Sequence, residues 1–434
     1  MRRTIRRWMS LAAAVCIGVT TAGGCGKSGP EVYLDTSEPE TVITMFVQNE
    51  ELSEAVEECC KDKINASGGE NIVLYADAAS YYAKENQSYR ELLLKRMESQ
   101  KADDLFLIPA EDVLEYDRRG YLYDLSGLDC VGNLSDDALM QSIYNGKVFS
   151  IPMSYACFGF IWNVDLLSSL GLEIPENLGE FMEVCETLKE NGIVAYGANC
   201  DFALCVPAMC VGLAPIYQSG KKEELVAELS DGTTPVSTYM RDGFAFLEEM
   251  IEKGYLDPAQ AISTLPGSEE EHRLFSEGKC AFISSLCRKK AFENPYPFEV
   301  KMTALPVLED GSICVVGADQ RIAVNPNSPN LEEAITIVEA LGRTDSLNQM
   351  AKEFGKISSA GNGDGSPLPE ADELIACAAG GGQIPNQDFR IHFNIWNTVK
   401  ALGVKLCEGA GVDQVCREFD ALQQQELEAY RGED

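Results

Sequence analysis

Short apolar runs alternate with segments of helical period near the start of the chain. The runs of strand length, which are rich in apolar and β-branched side chains, are residues 41–47, 71–77 and 104–108. The segments with apolar residues at helical spacing are residues 52–63, 89–100 and 110–118. Parallel strands need crossover connections of this kind. The pattern therefore predicts an α/β unit over the first 150 residues, with helices on both faces of a parallel sheet.

The same alternation continues in the second half of the chain. Helical patterns occupy residues 176–192, 237–257 and 328–343. Strand patterns occupy residues 279–286, 300–308 and 320–326, and residues 191–200 predict a loop followed by a strand. Asn177 is the predicted N-cap of the first of these helices, with Glu180 at the third helical position. Residues 361–383 are rich in Gly and Pro and predict the main irregular loop.

A distinctive stretch lies between these two halves, at residues 145–163. An Asn145-Gly146 turn leads into an apolar run, and Pro152 is predicted to end that run. A second apolar run then extends to Trp162 and Asn163. The stretch predicts a chain that passes from one sheet region into another.

Length and charge narrow the class of protein. The chain has 434 residues, which predicts two domains rather than one core. Acidic residues outnumber basic residues by 69 to 35, and the formal net charge is −34. Such a surface repels phosphate backbones and anionic lipid headgroups, so we expect no nucleic-acid partner.

The N-terminus has the layout of an export signal. Four arginines precede an apolar segment over residues 11–21, which is too short to cross a bilayer as a finished helix. The following AGGC, residues 22–25, resembles a bacterial lipobox. This resemblance implies that residues 1–24 are a lipoprotein signal peptide and that Cys25 is lipidated. An ordinary signal peptide that leaves Cys25 a simple thiol stays open as the alternative. Residues 25–40 are polar and predict a tether.

The sequence contains sixteen cysteines. Most lie inside apolar runs with scattered spacing, which is typical of small buried hydrophobic residues. Cys200, Cys205 and Cys210 match no zinc spacing, so we expect no metal site. A disulfide between Cys280 and Cys287 is one open possibility.

Catalytic motifs are missing from the sequence. It contains two histidines, His272 and His392, neither of them in an HExxH motif, and it contains no GxSxG motif. We expect His272 to be a helix-surface residue. The chain is therefore expected not to be an enzyme, and no cofactor is expected.

Residues 145–192 closely resemble the central signature of the extracellular solute-binding proteins of ABC importers, a group that includes sugar and maltodextrin binders. In that family a Gly-Lys-aromatic-x-x-Pro strand leaves the first lobe, and a strand ending near aromatic-Asn-x-Asp-Leu enters the second. Later fragments resemble further segments of the family in the same order. They are residues 275–285, 304–311, 318–341 and 383–409.

The resemblance implies an α/β fold of the two-lobed periplasmic-binding-protein (Venus flytrap) type, with hinge strands and a ligand cleft between the lobes. Lobe 1 is expected to comprise residues 41–152 and 287–342, and lobe 2 residues 153–286 and 343–434. The implied function is capture of a sugar or oligosaccharide and its delivery to the membrane subunits of an ABC permease. The protein is expected to be a monomer that is lipid-anchored at the extracytoplasmic face of the cell membrane.

Most candidate ligand-binding residues follow predicted strands, where loops present side chains to a cleft, whereas Tyr155 lies just past the crossover and Asp319 precedes the strand over residues 320–326. They are Gln48, Asp77, Tyr81, Glu111, Tyr155, Asp201, Ser285 and Asp319. Trp396 stands where the resemblance implies a ring-stacking aromatic. Carboxylates and amides accept hydrogen bonds from sugar hydroxyls, and aromatic rings pack on sugar C–H surfaces.

Each of these assignments has a plainer alternative. Trp396, like Trp162, is also consistent with core packing, and Asp77 or Asp319 with capping of a helix or turn. The run after residue 285 lacks a tryptophan that many sugar binders carry there. A binding protein for a cationic or peptide-like solute therefore stays open, and so does a secreted hydrolase with an unrecognised site.

Overall fold

The computed structural model describes residues 41–61, 63–69, 71–82, 87–99, 102–293, 296–361 and 368–432. The predicted signal peptide, the lipidation of Cys25 and the tether lie outside these residues. The described chain from residue 41 onward belongs to a single compact unit.

The strands form one eleven-stranded sheet and a separate two-stranded hairpin. Numbered along the chain, they are β1 (Thr41–Val47), β2 (Ile72–Ala78), β3 (Leu105–Ile108), β4 (Ile143–Tyr144), β5 (Lys147–Val148), β6 (Ile151–Asn163), β7 (Val194–Gly197), β8 (Cys280–Leu286), β9 (Val300–Thr303), β10 (Leu305–Leu308), β11 (Gly311–Val324), β12 (Ile357–Ser358) and β13 (Gln383–Pro385).

Helices connect and cover these strands. They are α1 (Glu50–Lys61), α2 (Tyr89–Met97), α3 (Val113–Arg118), α4 (Asp136–Met140), α5 (Val164–Ser169), α6 (Leu178–Glu190), α7 (Phe202–Tyr217), α8 (Lys222–Ser230), α9 (Ser237–Glu252), α10 (Pro258–Ser263), α11 (Glu269–Ser276), α12 (Lys290–Glu293), α13 (Leu331–Leu341), α14 (Thr344–Phe354), α15 (Asp372–Ala379), α16 (Trp396–Cys407) and α17 (Val412–Arg431).

The main sheet has the strand order β2-β1-β3-β11-β6-β8-β7. Strands β1, β2 and β3 are parallel, which confirms the predicted α/β start of the chain. Strands β6 and β11 are long and antiparallel to each other, and they occupy the middle of the sheet. At the other end, β8 pairs with β6, and the parallel strand β7 closes the edge.

The two faces of the sheet are covered differently. One face carries a single apolar core along its length, here called the common core, with Met45, Tyr155 and Ile283 among its members. The opposite face carries two separate cores. The first flanking core includes Phe46, Phe106, Ala323 and Phe389 and covers the β2-β1-β3 end. The second flanking core includes Phe158, Phe160, Trp162 and Trp396 and covers the β6-β8-β7 end.

A polar strip separates the two flanking cores. On β11, Val315 belongs to the second flanking core and Ala323 to the first. Because alternate residues of a strand share a face, Gly317, Asp319 and Arg321 lie between them on that face. Asp319 is paired in register with Ser154 of β6. We call Ser154, Gly317, Asp319 and Arg321 the central strip.

Several local predictions are confirmed. Asn177 caps α6, and its side-chain Oδ1 accepts a hydrogen bond of 3.0 Å from the Glu180 backbone N–H. Asn145 and Gly146 have φ values of 48° and 75°, as a tight turn between antiparallel strands requires. Trp162 is fully buried, and its Nε1 donates to Thr303 Oγ1 at 2.9 Å.

Three local predictions are wrong. Pro152 does not end a strand, because β6 runs without a break from Ile151 to Asn163. The predicted irregular loop contains α15, whose apolar residues pack into the common core. Cys280 and Cys287 are both free and buried, so they form no disulfide.

The contacts also differ from the predicted lobe segments at two places. Leu305 and Val307 of β10 pack in the second flanking core, although the predicted lobe 1 includes residues 287–342. Helix α14 packs beside α1, since the Cys59 thiol donates to the Ser346 carbonyl at 3.7 Å. Residues 344–354 therefore lie with the first α/β unit, although the predicted lobe 2 includes residues 343–434.

Candidate functional site

An ion pair lies at the centre of the central strip. Lys356 Nζ donates to Asp319 Oδ2 at 2.5 Å, and the lysine side chain is 7% exposed while that of the aspartate is 39% exposed. Desolvation opposes ionisation of Asp319, but the ammonium group of Lys356 outweighs it and lowers the pKa of the carboxyl group. Beside the pair, Ser154 Oγ donates to Gln320 Oε1 at 3.0 Å. The strip therefore carries fixed charges and hydrogen-bonding groups.

A connecting segment, residues 386–393, passes over the same strip. Phe389 belongs to the first flanking core and Phe393 to the second, so the segment links the two. The guanidinium group of the buried Arg321 lies 4.9 Å from the centre of the Phe389 ring. A Cβ at Gly317 would lie 2.6 Å from the Asn386 side chain, so a larger residue would require that side chain to move.

On the side of the second flanking core, a cluster of charged and aromatic side chains lies next to the central strip. Lys400 Nζ lies 2.6 Å from Asp201 Oδ1 and 5.0 Å from the centre of the Trp396 ring. The Trp396 ring packs on Phe158, and Phe158 packs on Phe202, at centroid distances of 5.3 and 5.6 Å. Asp201 and Trp396, both predicted from sequence, are therefore brought together by a lysine that was not predicted.

On the side of the first flanking core, Asp77 is held by two partners. It accepts hydrogen bonds from Arg96 Nη2 at 2.6 Å and from Tyr82 Oη at 3.0 Å. Arg96 also binds Asp103 at 2.9 Å and lies 3.9 Å from the centre of the Phe46 ring. Burial raises the pKa of Asp103 although Arg96 opposes this rise. The carboxylate of Asp77 is thus fixed within its own half of the sheet.

Gln48 and Tyr81 lie on adjacent loops. The Ser80 backbone N–H donates to the Gln48 carbonyl oxygen at 3.2 Å, which places the loops after β1 and β2 side by side. The Gln48 side-chain Oε1 is buried and has no hydrogen-bond partner within the described chain. The Tyr81 side chain is 49% exposed. Glu111 lies in a short helical turn after β3, and its side chain falls outside the description.

Tyr155 and Ser285 occupy strands in the middle of the sheet. Tyr155 is buried in the common core, and its hydroxyl group lies 3.1 Å from Ser135 Oγ. Burial raises the pKa of Tyr155. Tyr155 and Asp319 lie on neighbouring strands, but their side chains point to opposite faces. Ser285 is half-buried and paired in register with Gly159. A ligand role for each of the nine residues stays a prediction.

The cations opposite these carboxylates were missed at the sequence level. Lys356, Lys400 and Arg96 each neutralise one predicted carboxylate. Their positions carry no local signal, because an ion pair between distant segments depends on the fold and not on spacing. Lys400 lies within residues 383–409, which resemble the solute-binding family, and this resemblance is the one sequence signal close to it.

Other features of the described chain lie away from these residues. Three cavities of about 460, 460 and 290 Å³ are lined by none of the nine predicted residues. His272 is not a simple surface residue, since its ring stacks on Tyr296 at 5.1 Å and its Nε2 is buried. The described residues contain no cluster suited to a metal ion.

Among the described helices, none alone is long and apolar enough to cross a bilayer. Helices α7 and α8 meet the criterion only when taken together, and they are bent by 117° at their junction.

Comparison with known proteins identifies the class. Residues 83–369 match the family of bacterial extracellular solute-binding proteins. The family 1 extracellular solute-binding protein from Bifidobacterium longum subsp. infantis superposes with a TM-score of 0.69 at 17% identity, covering 89% of this chain and 100% of that one. The fold is thus that of a two-lobed solute-binding protein. The chain belongs to the bacterial extracellular solute-binding proteins, a family of binding proteins rather than enzymes.

Two curated relatives are similar over shorter stretches. The multiple sugar-binding protein of Streptococcus mutans is 30% identical over 78 residues, which cover 18% of this chain and 19% of that protein. The melibiose/raffinose/stachyose-binding protein MelE of Bacillus subtilis is 22% identical over 277 residues, which cover 61% of this chain and 63% of that protein. The chain thus spans less than two thirds of either relative.

Proposed function

We propose that the protein is the substrate-binding subunit of a carbohydrate ABC importer. It captures a sugar or oligosaccharide between its two lobes and delivers it to the membrane permease, and it makes or breaks no covalent bond. The names of both curated relatives support a sugar as the ligand. The observation that carries the proposal is the central strip, a polar interval between two apolar cores on one face of a continuous sheet.

The ligand would lie over the central strip and contact both sides of it. Asp319 offers a partly exposed carboxylate from the strip itself. Asp201 and Lys400 offer an acceptor and a donor from the second side, next to the aromatic edge of Trp396. Tyr81 and Gln48 lie on the loops of the first side. Paired polar groups and a ring edge are the chemistry that recognises sugar hydroxyls and C–H surfaces.

Strands β6 and β11 are the proposed hinge strands, because each reaches from one flanking core to the other. We propose that lobe 1 comprises residues 41–152, as the sequence predicted, completed by residues 317–356. Lobe 2 then comprises residues 153–316 and 357–432. Ligand contacts with both lobes would select the closed arrangement.

A cationic or peptide-like solute is the second candidate, and it needs carboxylates that are available to the ligand. In the structure, Asp77, Asp201 and Asp319 already have Arg96, Lys400 and Lys356 as partners. Asp201 and Asp319 are thus each balanced by a lysine, while Arg96 is shared between Asp77 and Asp103. The pairing therefore favours a neutral solute such as a sugar.

Location and partners complete the proposal. Family membership supports an extracytoplasmic location. We propose that Cys25 carries a lipid anchor, that residues 25–40 tether the folded part to the membrane and that the protein acts as a monomer. The partners are then the carbohydrate, the permease subunits and, through the anchor, the membrane.

Thermal unfolding of the chain from residue 26 tests the function. The protein is melted with melibiose, raffinose and stachyose, with spermidine and a mixed oligopeptide as further arms. Ligand at about one hundred times its Kd stabilises by about 2.7 kcal/mol, which raises the Tm measurably. A shift with a sugar and unchanged sugar on chromatography support the proposal. A shift with spermidine or peptide alone, or release of a cleaved glycan, refutes it.

A further inference from the structure

Three thiols meet where α15 packs on strands β6 and β11. Cys157 Sγ on β6 lies 3.7 Å from Cys314 Sγ on β11. The thiols of Cys314 and Cys377 each lie 3.4 Å from the same carbonyl oxygen, that of Gly382. Both side chains therefore meet at the Gly382 carbonyl group. All of these cysteines are free in the structure.

The three thiols differ in how far they are exposed to solvent. Cys157 and Cys314 are 1% and 0% exposed. Cys377 is half-buried and lines a cavity of about 460 Å³, together with Ser312 and Thr303. A small reagent that enters this cavity therefore reaches Cys377 first. Cys314 has no exposed surface.

Strand register decides which pair can be bridged. Cys157 stands opposite Val316 in the antiparallel pair, so Cys314 is its diagonal neighbour. Diagonal neighbours have Cα atoms about 7–8 Å apart, beyond the usual span of a disulfide. Cys377 and Cys314 belong to different elements that meet at Gly382, whose carbonyl oxygen also accepts from the Cys314 backbone N–H at 3.0 Å. The register thus excludes a disulfide between Cys157 and Cys314 and leaves the pair of Cys314 and Cys377.

We propose that Cys377 and Cys314 form a modification site, which a low-molecular-weight disulfide oxidises to an internal disulfide bond. The Cys377 thiolate attacks one sulfur of the reagent, a mixed disulfide forms, and the first small thiolate leaves and takes up the proton that Cys377 released. The Cys314 thiolate then attacks the Cys377 sulfur, and the second small thiolate leaves with the Cys314 proton. Two protein thiols are oxidised, and one small disulfide is reduced to two thiols.

The bond would join α15 to β11, the strand that carries the central strip. Residues 314 and 377 are far apart in sequence, so the cross-link closes a long loop and stabilises the folded state. The two elements already share backbone hydrogen bonds through Gly382, so the central strip is not displaced. The proposal does not depend on the identity of the solute.

The test exposes the reduced chain from residue 26 to oxidised glutathione at pH 9. The contact with Cys314 and burial both raise the pKa of the Cys377 thiol, so the reaction is slow at neutral pH. Peptide mapping by mass spectrometry is expected to find a peptide linking residues 314 and 377, and the Tm is expected to rise by about 5 °C.

Matched variants separate the possible outcomes. C314A is expected to stop at a glutathione adduct on Cys377, and C157A is expected to form the same disulfide as the parent. Circular dichroism checks that each variant is folded. The proposal is overturned if the parent forms no linked peptide, if the link joins Cys157 to Cys314, or if Cys314 of the glutathione-treated C377S variant still resists alkylation after the protein is unfolded.

Discussion

Lys356 reaches across strand β6 to bind Asp319 on the strand beyond it. Lys356 directly precedes β12, and Ser358 of β12 pairs with Ser154 of β6 on one side while Asp319 pairs with it on the other. The ion pair of 2.5 Å therefore connects three adjacent strands at the centre of the central strip. A charge pair in this position contributes both to the stability of the sheet and to the polarity of the proposed site.

Removing the charge of Asp319 is expected to destabilise the protein at neutral pH. In D319N the mostly buried ammonium group of Lys356 loses its counter-charge. The cost is expected to be about 1–2 kcal/mol, below that of a fully buried pair because the carboxylate is 39% exposed. Urea unfolding at pH 7 measures the loss. The control is D413N, which removes an exposed pair with Arg241 and is expected to leave the unfolding free energy nearly unchanged.

The same ion pair predicts a pH dependence. The pKa of Asp319 is lower in the folded protein than in the unfolded chain, so its contribution is fully present above the unfolded pKa of about 3.9. It is lost as the pH falls through the folded pKa. The stability difference between the parent and D319N should therefore be larger at pH 7 than at pH 3. An unchanged difference at the two pH values would show that the pair is not the cause.

Asp201 is expected to contribute to sugar binding. In D201N the carboxylate that faces Lys400 becomes a neutral amide and accepts weaker hydrogen bonds from a sugar hydroxyl. We expect affinity for the sugar identified by thermal unfolding to fall about tenfold, which corresponds to about 1.4 kcal/mol. Isothermal titration calorimetry measures the Kd. The control D413N should bind like the parent, and an unchanged Kd in D201N would remove Asp201 from the site.

Gly243 is expected to be essential for packing in the second flanking core. A Cβ at this position of α9 would lie 2.0 Å from the Ala208 carbonyl oxygen of α7, so the two helices would have to separate. G243A is expected to cost about 2–3 kcal/mol in unfolding free energy. The control G220A adds a methyl group where no atom lies within 4 Å, and it should change stability by less than about 0.5 kcal/mol. Equal stability of the two variants would contradict the close approach of the helices.

Cys25 is expected to anchor the protein to the membrane. In C25S the full-length chain lacks the thiol that the lipobox-like sequence presents for lipidation, so the protein should leave the membrane fraction. Fractionation after expression and mass spectrometry of the N-terminal peptide measure the effect. C16S changes a cysteine in the apolar segment and should stay membrane-bound. Retention of C25S in the membrane fraction would argue against the anchor.

The sequence predicted most of the secondary structure but misplaced two features. It predicted the parallel start β1-β2-β3 and the capped helix α6 because periodicity and caps are local signals. It placed a break at Pro152, yet the strand continues through the proline. It also gave residues 361–383 no helix, because the flanking glycines and prolines hid the apolar spacing of α15.

The candidate site was predicted only in part. Position next to a predicted strand nominated Asp201, which follows one, and Asp319, which precedes one; the structure places them beside and within the central strip. The same rule nominated Tyr155, whose side chain is turned toward the common core. The alternation of side chains along a strand sets the face to which Tyr155 points. Which face is buried and which borders the site is known only once the partner strands are known.

The sequence by itself determined the α/β alternation, the acidic character and the resemblance to solute-binding proteins, because these follow from local spacing and from residue types. The tertiary structure alone decided which lysine or arginine faces each carboxylate and how the two flanking cores leave the central strip between them. Those relationships join segments far apart in the chain. They depend on distances that exist only after the strands have paired, and no local pattern of residues encodes them.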